Sequence, residues 1–408
     1  MAQSFWSSDL FLHHQMKIFV TSYTYIYEHS YGVFDYFKNK EDVVFVLPKK
    51  WKSTKGTKTT VYPKERKGFK FITTSAPFYH SHYPIMRGHL KGWMPNLANI
   101  LKKEAKPGDI LYSSYEPNLL VTYLYSRLAK KLGLKHVFFT WQNVPYKERM
   151  SGPKLKIIEW FVNKNIELSV GGLCGMRRAY EIHEPYFKNN KNLKVDIIPQ
   201  TGINTDMYRP GIVTDFRKKH GLENKFIFLY TATFTERKGT LPTLYAFNQI
   251  CKNLPRAHLL MIGMGNLEAE LKKRIGDLNL SGRVTVLPWQ PVGELAPIYA
   301  QVDVLVHPSE PHKGWEEQFG LLMLQAQACG TPIITTKSGS LEETVLDRKT
   351  GILVKPGEDV EGVAEAMLLL AEDEILRLSL GKTARQYMLD HFSNQSVGER
   401  LEKFLRNL

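Results

Sequence analysis

Glu317 and Gln325 stand eight residues apart around the predicted start of a helix. At about 100° per residue they differ by roughly 80° around the helix axis, so they suit two ends of an elongated ligand better than a catalytic pair. The amides of Phe319, Gly320 and Leu321 open the same helix, and such free amides bind phosphate well. The spacing therefore indicates a site for a ligand that carries both phosphate and hydroxyl groups, such as a nucleotide-activated sugar.

This stretch resembles the signature of glycosyltransferase family 4, the group 1 transferases of GT-B fold. The matching residues are Glu317-x-Phe319-Gly320 and Gln325-Ala326-x-Ala328-Cys329-Gly330-x-Pro332. The resemblance implies that Glu317 accepts hydrogen bonds from the donor sugar. It places Gln325 at the ribose, where the family has a second glutamate. An amide accepts only through its oxygen, so this contact is expected to be weaker than a carboxylate's.

A basic turn follows the predicted strand Phe226–Tyr230 and is expected to bind the donor phosphates. Lys238 supplies a point charge suited to phosphate. The family usually has arginine five positions earlier, where this chain has Thr233, and the adjacent Arg237 is a candidate substitute. The alternative for both basic residues is a solvated surface turn.

Two further segments of the second half are expected to line the donor site. Gly263 and Gly265 form a strand-to-helix turn that shapes the cleft near the nucleotide. Trp289 and Gln290 occupy the region where the family usually holds the base. For Trp289, burial in the core is an equally good reading.

In the first half, Glu116 and Asn143 each follow a predicted strand, where a cleft is expected. We expect both to meet the acceptor or the reacting sugar, and we group them with Glu317 and Lys238 as candidate catalytic residues. His307 and His312 resemble a metal pair but lack a third ligand at convincing spacing. The resemblance implies that neither a metal nor another cofactor is needed.

Short apolar runs alternate with helical patterns along the whole chain, which predicts two parallel, doubly wound sheets that face one cleft. We expect a disordered extension over residues 1–15, an acceptor-binding Rossmann-like domain over 16–210 and a donor-binding Rossmann-like domain over 211–385. A final helix over 386–408 is expected to cross back to the first domain. One strand of the first sheet is predicted over Leu168–Val170.

The excess positive charge lies entirely in the first half. Residues 1–210 hold 32 Lys and Arg against 16 Asp and Glu, a net charge of +16, whereas the whole chain carries +15. Such a field favours an anionic partner, and an acidic membrane surface is one candidate. A helix after Pro95, with Leu97, Ile100 and Leu101, is either a core helix with a basic end or a membrane-facing one. No nucleic-acid motif accompanies the charge, so no nucleic-acid partner is expected.

Three widely spaced cysteines, Cys174, Cys251 and Cys329, favour free thiols in a reducing cytosol. Peripheral contact of the protein with the membrane is an additional option. The chain is thus expected to be a cytoplasmic, metal-independent enzyme of polysaccharide or glycolipid biosynthesis. It would move a hexosyl unit from a nucleoside-diphosphate sugar to a glycan, glycolipid or other hydroxyl acceptor, with retention. Two alternatives stay open: a non-catalytic binding or scaffolding protein, favoured by Thr233 and Gln325, and another GT-B enzyme such as a sugar-nucleotide epimerase or a phosphorylase.

Overall fold

The computed structural model describes residues 15–52, 60–78, 88–312, 314–357 and 360–408. Nearly all of the predicted extension, residues 1–14, lies outside them.

The first sheet has seven parallel strands in the order β5-β2-β1-β6-β7-β8-β9. Its central strands are fully buried and apolar, as a parallel sheet covered on both faces requires. The strands are β1 (Ile18–Thr21), β2 (Val43–Pro48), β5 (Lys70–Thr74), β6 (Ile110–Ser113), β7 (Lys135–Thr140), β8 (Gly171–Cys174) and β9 (Lys194–Ile197). A short antiparallel pair, β3 (Trp51–Lys52) and β4 (Thr60–Val61), lies beside it and was not predicted.

The second sheet has six parallel strands in the order β12-β11-β10-β13-β14-β15. They are β10 (Phe226–Thr231), β11 (Ala257–Ile262), β12 (Val284–Leu287), β13 (Val304–His307), β14 (Ile333–Thr336) and β15 (Gly351–Val354). The strand order reverses at β10 and β13, which lie side by side. In doubly wound sheets the crevice beyond such a reversal is where ligands bind.

Helices cover both sheets and run between successive strands. They are α1 (Leu97–Glu104), α2 (Leu120–Lys131), α3 (Tyr146–Arg149), α4 (Gly152–Leu168), α5 (Arg177–Phe187), α6 (Phe216–Lys219), α7 (Thr240–Ile250), α8 (Glu268–Asp277), α9 (Val292–Tyr299), α10 (Leu321–Ala328), α11 (Leu341–Thr344), α12 (Glu361–Glu372), α13 (Glu374–Tyr387) and α14 (Asn394–Arg406). None of the helices in the described residues combines the length and the low charge that crossing a lipid bilayer requires.

The last helix returns to the first domain, as predicted. A π-helical turn over Met388–Phe392 and the Ser393 cap redirect the chain between α13 and α14. Val397, Leu401 and Leu405 then pack into the same core as β1 and β2. Each of these side chains contributes roughly 1.5–3 kcal/mol by leaving water, so α14 ties the two halves together firmly. The exact domain limits at residues 210 and 385 stay predictions.

One predicted strand is wrong. Leu168 ends α4, and β8 begins only at Gly171. A Cβ on Gly171 would lie 3.1 Å from Val137, and one on Gly172 would lie 2.5 Å from the Phe138 ring. The two glycines serve close packing within the sheet, and glycine gives no strand signal in a sequence.

The helix after Pro95 is the core helix of the two alternatives. Leu97 and Leu101 of α1 are buried in a cluster with Phe19 and Leu111 of the first sheet, and Ile100 packs against it. Lys102 and Lys103 form its basic end. The three cysteines are buried free thiols.

Candidate active site

The carboxylate of Glu317 lies among three polar side chains beyond the end of β13. Its Oε2 accepts a hydrogen bond from the Lys238 ammonium and one from the Ser309 hydroxyl at 3.5 Å. The Nε2 of His307 lies 3.9 Å away. Burial raises the pKa of Glu317, but the His307 ring and the Lys238 charge outweigh burial and bring the pKa to about 2. Glu317 is therefore an anion at neutral pH, which accepts hydrogen bonds and donates none.

Lys238 reaches Glu317 because a single glycine lets two loops touch. The turn Glu236–Lys238 follows β10 and ends at Gly239, which has a φ of +69°. A Cβ at this position would lie 2.1 Å from the carbonyl oxygen of Pro308, in the loop after β13. Only glycine fits both the left-handed backbone and this close approach. The neighbouring strands β10 and β13 thus deliver the cation and the anion to one point.

Helix α10 begins directly after the acidic loop and has no side-chain cap. Gly320 precedes it with a φ of +65°, and no side chain bonds to the first amides of the helix. The N-terminus of an eight-residue helix therefore stands three residues from Glu317 with its dipole unneutralised by a cap. Phe319 and Leu321 flank this glycine, as the sequence predicts for a phosphate-binding helix start.

Gln325 is buried and faces an interdomain cavity of about 550 Å³. Its Oε1 has no hydrogen-bond partner among the described residues. Leu321 and Gly293 line the cavity from the second domain, and Asp35 and Arg66 line it from the first. A surface glutamine is thus excluded, since this buried amide lies in the wall of a crevice large enough for a nucleoside and its acceptor is unpartnered.

Trp315 joins the site without any signal in the sequence. Its ring lies under the guanidinium of Arg237 at 4.2 Å and under the ammonium of Lys238 at 4.7 Å, measured to the ring centroid. Such stacking holds cations in place at partly buried sites. Arg237 and Lys238 therefore contact the same aromatic ring, and Arg237 does not lie on a solvated turn.

The glycine turn forms part of the cleft wall. A Cβ on Gly263 would lie 2.0 Å from the Ala232 carbonyl, and one on Gly265 would lie 2.2 Å from that of Phe234. These glycines let two loops of the cleft wall pack side by side, which leaves Thr233 between them exposed.

Trp289 is 42 % exposed, so its burial in the core, one of the two readings, is wrong. Gln290 is half-buried, and its amide donates to the Pro288 carbonyl at 2.9 Å. Both side chains are accessible to a base, and their contact with one stays a prediction.

The first domain touches the acidic loop directly. The Nδ2 of Asn143 donates to the backbone carbonyls of Glu316 at 3.2 Å and Glu317 at 2.8 Å. The ring of Trp141 packs on Phe319 with centroids 4.9 Å apart. Asn143 is thus a contact between the domains at the candidate sugar site, and its contact with a sugar stays a prediction.

Glu116 holds the loop that carries Asn143. Its carboxylate accepts hydrogen bonds from the Thr140 hydroxyl at 2.5 Å and from the Trp141 amide at 2.8 Å. Burial raises the pKa of Glu116 to about 7, although these hydrogen bonds oppose the rise. The structure therefore gives Glu116 a role in holding the 140–143 loop, while its predicted contact with acceptor or sugar is untested.

His307, at the end of β13, and His312, in the loop that follows, have different neighbours. His307 is buried against Tyr230 and faces Glu317, whereas His312 exchanges backbone hydrogen bonds with Trp315. Among the described ranges, no three His, Cys, Asp or Glu side chains are grouped so that they could hold a metal ion.

Comparison with known proteins identifies a matching family and several relatives. Residues 213–387 match the sequence profile of the family described as "Glycosyl transferases group 1". The chain is 31% identical over 196 residues to a D-inositol 3-phosphate glycosyltransferase of Pseudarthrobacter chlorophenolicus, covering 47% of this chain and 45% of that protein. It is 29% identical over 208 residues to a GDP-mannose-dependent alpha-(1-6)-phosphatidylinositol monomannoside mannosyltransferase of Mycolicibacterium smegmatis, covering 50% and 54%. The chain thus spans about half the length of these curated relatives.

Solved structures match over nearly the full length. HepE of Anabaena in complex with UDP superposes with a TM-score of 0.70 at 16% identity, over 97% of this chain and all of that one. Sucrose-phosphate synthase of Thermosynechococcus elongatus gives 0.70 at 18% identity, over 96% and 99%. At this identity the likeness establishes the fold. The chain therefore has the two-domain GT-B fold, and its residues 213–387 match the group 1 glycosyltransferase family.

Proposed function

We propose that the chain is a glycosyltransferase that moves a hexosyl unit from a nucleoside-diphosphate sugar to a hydroxyl acceptor, with retention of anomeric configuration. One observation carries the proposal: Glu317, Lys238 and the open start of α10 meet beside a cavity whose wall contains Gln325, a buried amide with an unpartnered acceptor. An anion, a cation, a helix dipole and an amide in this order match the hydroxyls, diphosphate and ribose of one donor molecule.

Donor binding has to separate the Glu317–Lys238 ion pair. Both side chains are mostly buried, with 14% and 15% of their surfaces exposed, so each needs a new partner when the pair opens. The donor supplies both partners at once, since its phosphates take Lys238 and its sugar hydroxyls donate to Glu317. The low pKa of Glu317 fits this role, because a carboxylate that stays ionised cannot act as a general acid at neutral pH.

Departure of the nucleoside diphosphate places negative charge between Lys238 and α10. The acceptor oxygen forms a bond to the anomeric carbon while the bond to the phosphate oxygen breaks, and the leaving phosphate takes the acceptor proton. Lys238, with Arg237 beside it on Trp315, stabilises the charge that develops. Since these cations and the helix dipole supply the positive charge, we propose that no metal is required. Retention is supported by the match of residues 213–387 to the group 1 family.

The nucleotide and the acceptor are left open by the relatives. One curated relative is named for GDP-mannose and a phosphatidylinositol mannoside, whereas the HepE structure holds UDP. We propose a glycan, a glycolipid or another hydroxyl compound as acceptor. The loops of the first domain choose it, as loops do on scaffolds of this kind.

The test begins with a thermal-shift panel of UDP-, GDP-, ADP- and CMP-sugars on the wild-type chain. We expect one donor to raise the melting temperature. That shift should be abolished in Glu317→Ala and reduced in Lys238→Ala, and it should survive in Lys272→Ala, an exposed lysine of α8. The selected donor is then incubated with candidate acceptors, and transfer is followed by mass spectrometry.

Distinct outcomes separate the competing functions. A donor that binds but yields a new free sugar nucleotide and no transfer product would indicate an epimerase. Donor binding without turnover of any kind would indicate a binding or scaffolding protein. Absence of any thermal shift across the panel would contradict the donor site itself.

A further inference from the structure

A patch of exposed aromatic and aliphatic side chains lies on the first domain, where α4 packs beside α2. Ile157 is 55% exposed and Trp160 is 45% exposed, although both are large apolar residues. The rings are contiguous: Tyr123 and Trp160 have centroids 5.2 Å apart, and Trp160 and Phe161 have centroids 5.1 Å apart. We call these four residues the α2–α4 patch. It contributes nothing to the donor site.

Basic residues surround this patch. Between residues 120 and 168 the chain has nine Lys and Arg against three Asp and Glu, a net of +6. Lys154 and Lys164 fall within about 60° of Ile157 around α4, so they flank the patch on the same helix face. Arg127 stacks on Tyr123 with 5.6 Å between its guanidinium carbon and the ring centroid.

The acidic residues of α4 cancel this charge only in part. Glu167 pairs with Lys164 at 2.7 Å, and Glu159 lies within 3.4 Å of the Tyr186 hydroxyl, which places it on the side toward α5. Lys154 and Lys156 are exposed at the start of the helix. The patch therefore keeps an apolar centre with a cationic border.

A second exposed apolar pair shows that exposure alone does not set the patch apart. Ile375 and Leu378 of α13 are 84% and 62% exposed, more than Ile157 and Trp160. Ile375 directly follows the acidic run Glu372, Asp373 and Glu374, and Leu378 lies three residues further along the helix. The molecule thus offers one apolar pair with a cationic border and one beside acidic residues, and only the first is complementary to an anionic surface.

We propose that the α2–α4 patch docks the protein on the surface of a membrane that contains anionic lipid. Tryptophan and tyrosine favour the level of the lipid head groups, and neighbouring lysines attract the negative surface. A helix with apolar and basic residues on one face lies in such an interface without spanning it.

Docking through the patch would also hold the cleft near the lipid surface. The segment that leads into α4 borders the acidic loop: Asn143 contacts Glu317, and the Arg149 side chain lies within 3.6 Å of the Cβ position of Gly314. The inference concerns a surface outside the donor site and stands whether or not the chain transfers sugar.

Vesicle flotation with the full chain tests the proposal. We expect binding to vesicles of phosphatidylcholine with phosphatidylglycerol, little binding to phosphatidylcholine alone, and release by high salt because the attraction is screened. The pair Lys154→Gln and Lys156→Gln should weaken binding by about twentyfold, since each removes one charge near the surface. Its matched control, Lys272→Gln with Lys273→Gln on α8, should bind as the wild type does.

A second pair of variants tests the apolar centre. Ile157→Ser with Trp160→Ser should weaken binding by about tenfold or more. Ile375→Ser with Leu378→Ser should leave it unchanged, although those side chains are more exposed. All four positions are at the surface, so unchanged melting temperatures will show that each variant folds.

Trp160→Phe tests whether the side chain at position 160 enters the bilayer. This variant should keep vesicle binding but lose part of the fluorescence quenching by brominated lipids that the wild type shows. Equal binding to neutral vesicles, wild-type binding in both α4 variants, or no vesicle binding at all would overturn the proposal. So would binding to RNA, rather than to vesicles, that depends on the same residues.

Discussion

The side-chain amide of Asn143 and the backbone carbonyl of Glu317 form a 2.8 Å hydrogen bond between the two domains. The bond joins the loop after β7 to the loop that carries the candidate sugar-binding carboxylate. The cleft is therefore closed at the reaction end, while the 550 Å³ cavity at Gln325 remains open beside it. We expect the donor to enter along the cavity and to bind the closed state that this bond stabilises, so domain closure and donor binding are coupled.

Removal of the Asn143 amide tests this coupling. Asn143→Ala loses both bonds to the acidic loop and should weaken donor binding about five- to tenfold, which corresponds to about 1 kcal/mol of lost closure energy. Isothermal titration calorimetry measures the affinity, and small-angle scattering measures the opening of the domains. Asn189→Ala is the control, since the Asn189 side chain donates to Asn163 on the exposed surface. Unchanged affinity and unchanged scattering in Asn143→Ala would show that the contact does not govern closure.

Trp315 should act on donor phosphate through the two cations that it holds. Trp315→Leu removes both stacking contacts, which contribute about 0.5–2 kcal/mol at partly desolvated sites, so the KM for donor should rise several-fold. Trp315→Phe keeps an aromatic face and should recover part of the loss. Steady-state kinetics over a range of salt concentrations measures the effect.

Trp289→Leu is the comparison for Trp315. Trp289 is exposed in the base region and is expected to affect the choice of nucleotide rather than the contact with phosphate. If Trp315→Leu and Trp315→Phe behave alike, the cations do not depend on the ring.

The sequence predicted most of the fold because buried parallel strands are continuous apolar runs. The predicted strand Phe226–Tyr230, for example, agrees with β10 to within one residue. The error at Leu168–Val170 has a local cause, since β8 contains the pair Gly171 and Gly172. Those glycines are explained by packing against Val137 and Phe138, 34 residues earlier in the chain.

The candidate site was predictable where a loop follows a strand, and less so where loops meet. Glu317 and Lys238 were placed together because β10 and β13 carry recognisable motifs. Trp315 was missed, because no periodicity or spacing marks one aromatic residue in a polar loop. The bond from Asn143 to a backbone carbonyl could not be predicted either, since it depends on how far the two domains close.

Gln325 should separate stability from donor affinity. Gln325→Leu replaces a buried amide whose oxygen has no partner, so the free protein should be as stable or slightly more stable. Donor affinity should fall about fivefold, by about 1 kcal/mol, because the contact with ribose is lost. Urea unfolding and calorimetry measure the two quantities. A loss of stability with unchanged donor affinity would indicate that the amide serves the fold.

Replacement of Gln325 by glutamate introduces the carboxylate that the family pattern has at this position. Gln325→Glu should tighten donor binding by about 1 kcal/mol through a charged hydrogen bond. It should also destabilise the free protein, since the new charge is buried in the cavity wall without a counter-ion. Comparison of melting temperatures with and without donor distinguishes the two effects. Equal or weaker donor affinity would place the ribose elsewhere.

The pKa of Glu116 predicts a pH dependence that one substitution removes. Burial raises its pKa to about 7, above the usual value for a glutamate in an unfolded chain. Between about pH 4.5 and pH 7 the folded state therefore binds more protons at this site than the unfolded state does, so this site makes the protein less stable as the pH rises through that window. Glu116→Gln keeps an acceptor for the Trp141 amide and abolishes the titration. Its free energy of unfolding, relative to the wild type, should therefore be higher at pH 8 than at pH 5, with a difference of at most about 3 kcal/mol. Urea unfolding of both proteins at the two pH values measures this difference, and a constant offset between them would mean that Glu116 titrates normally.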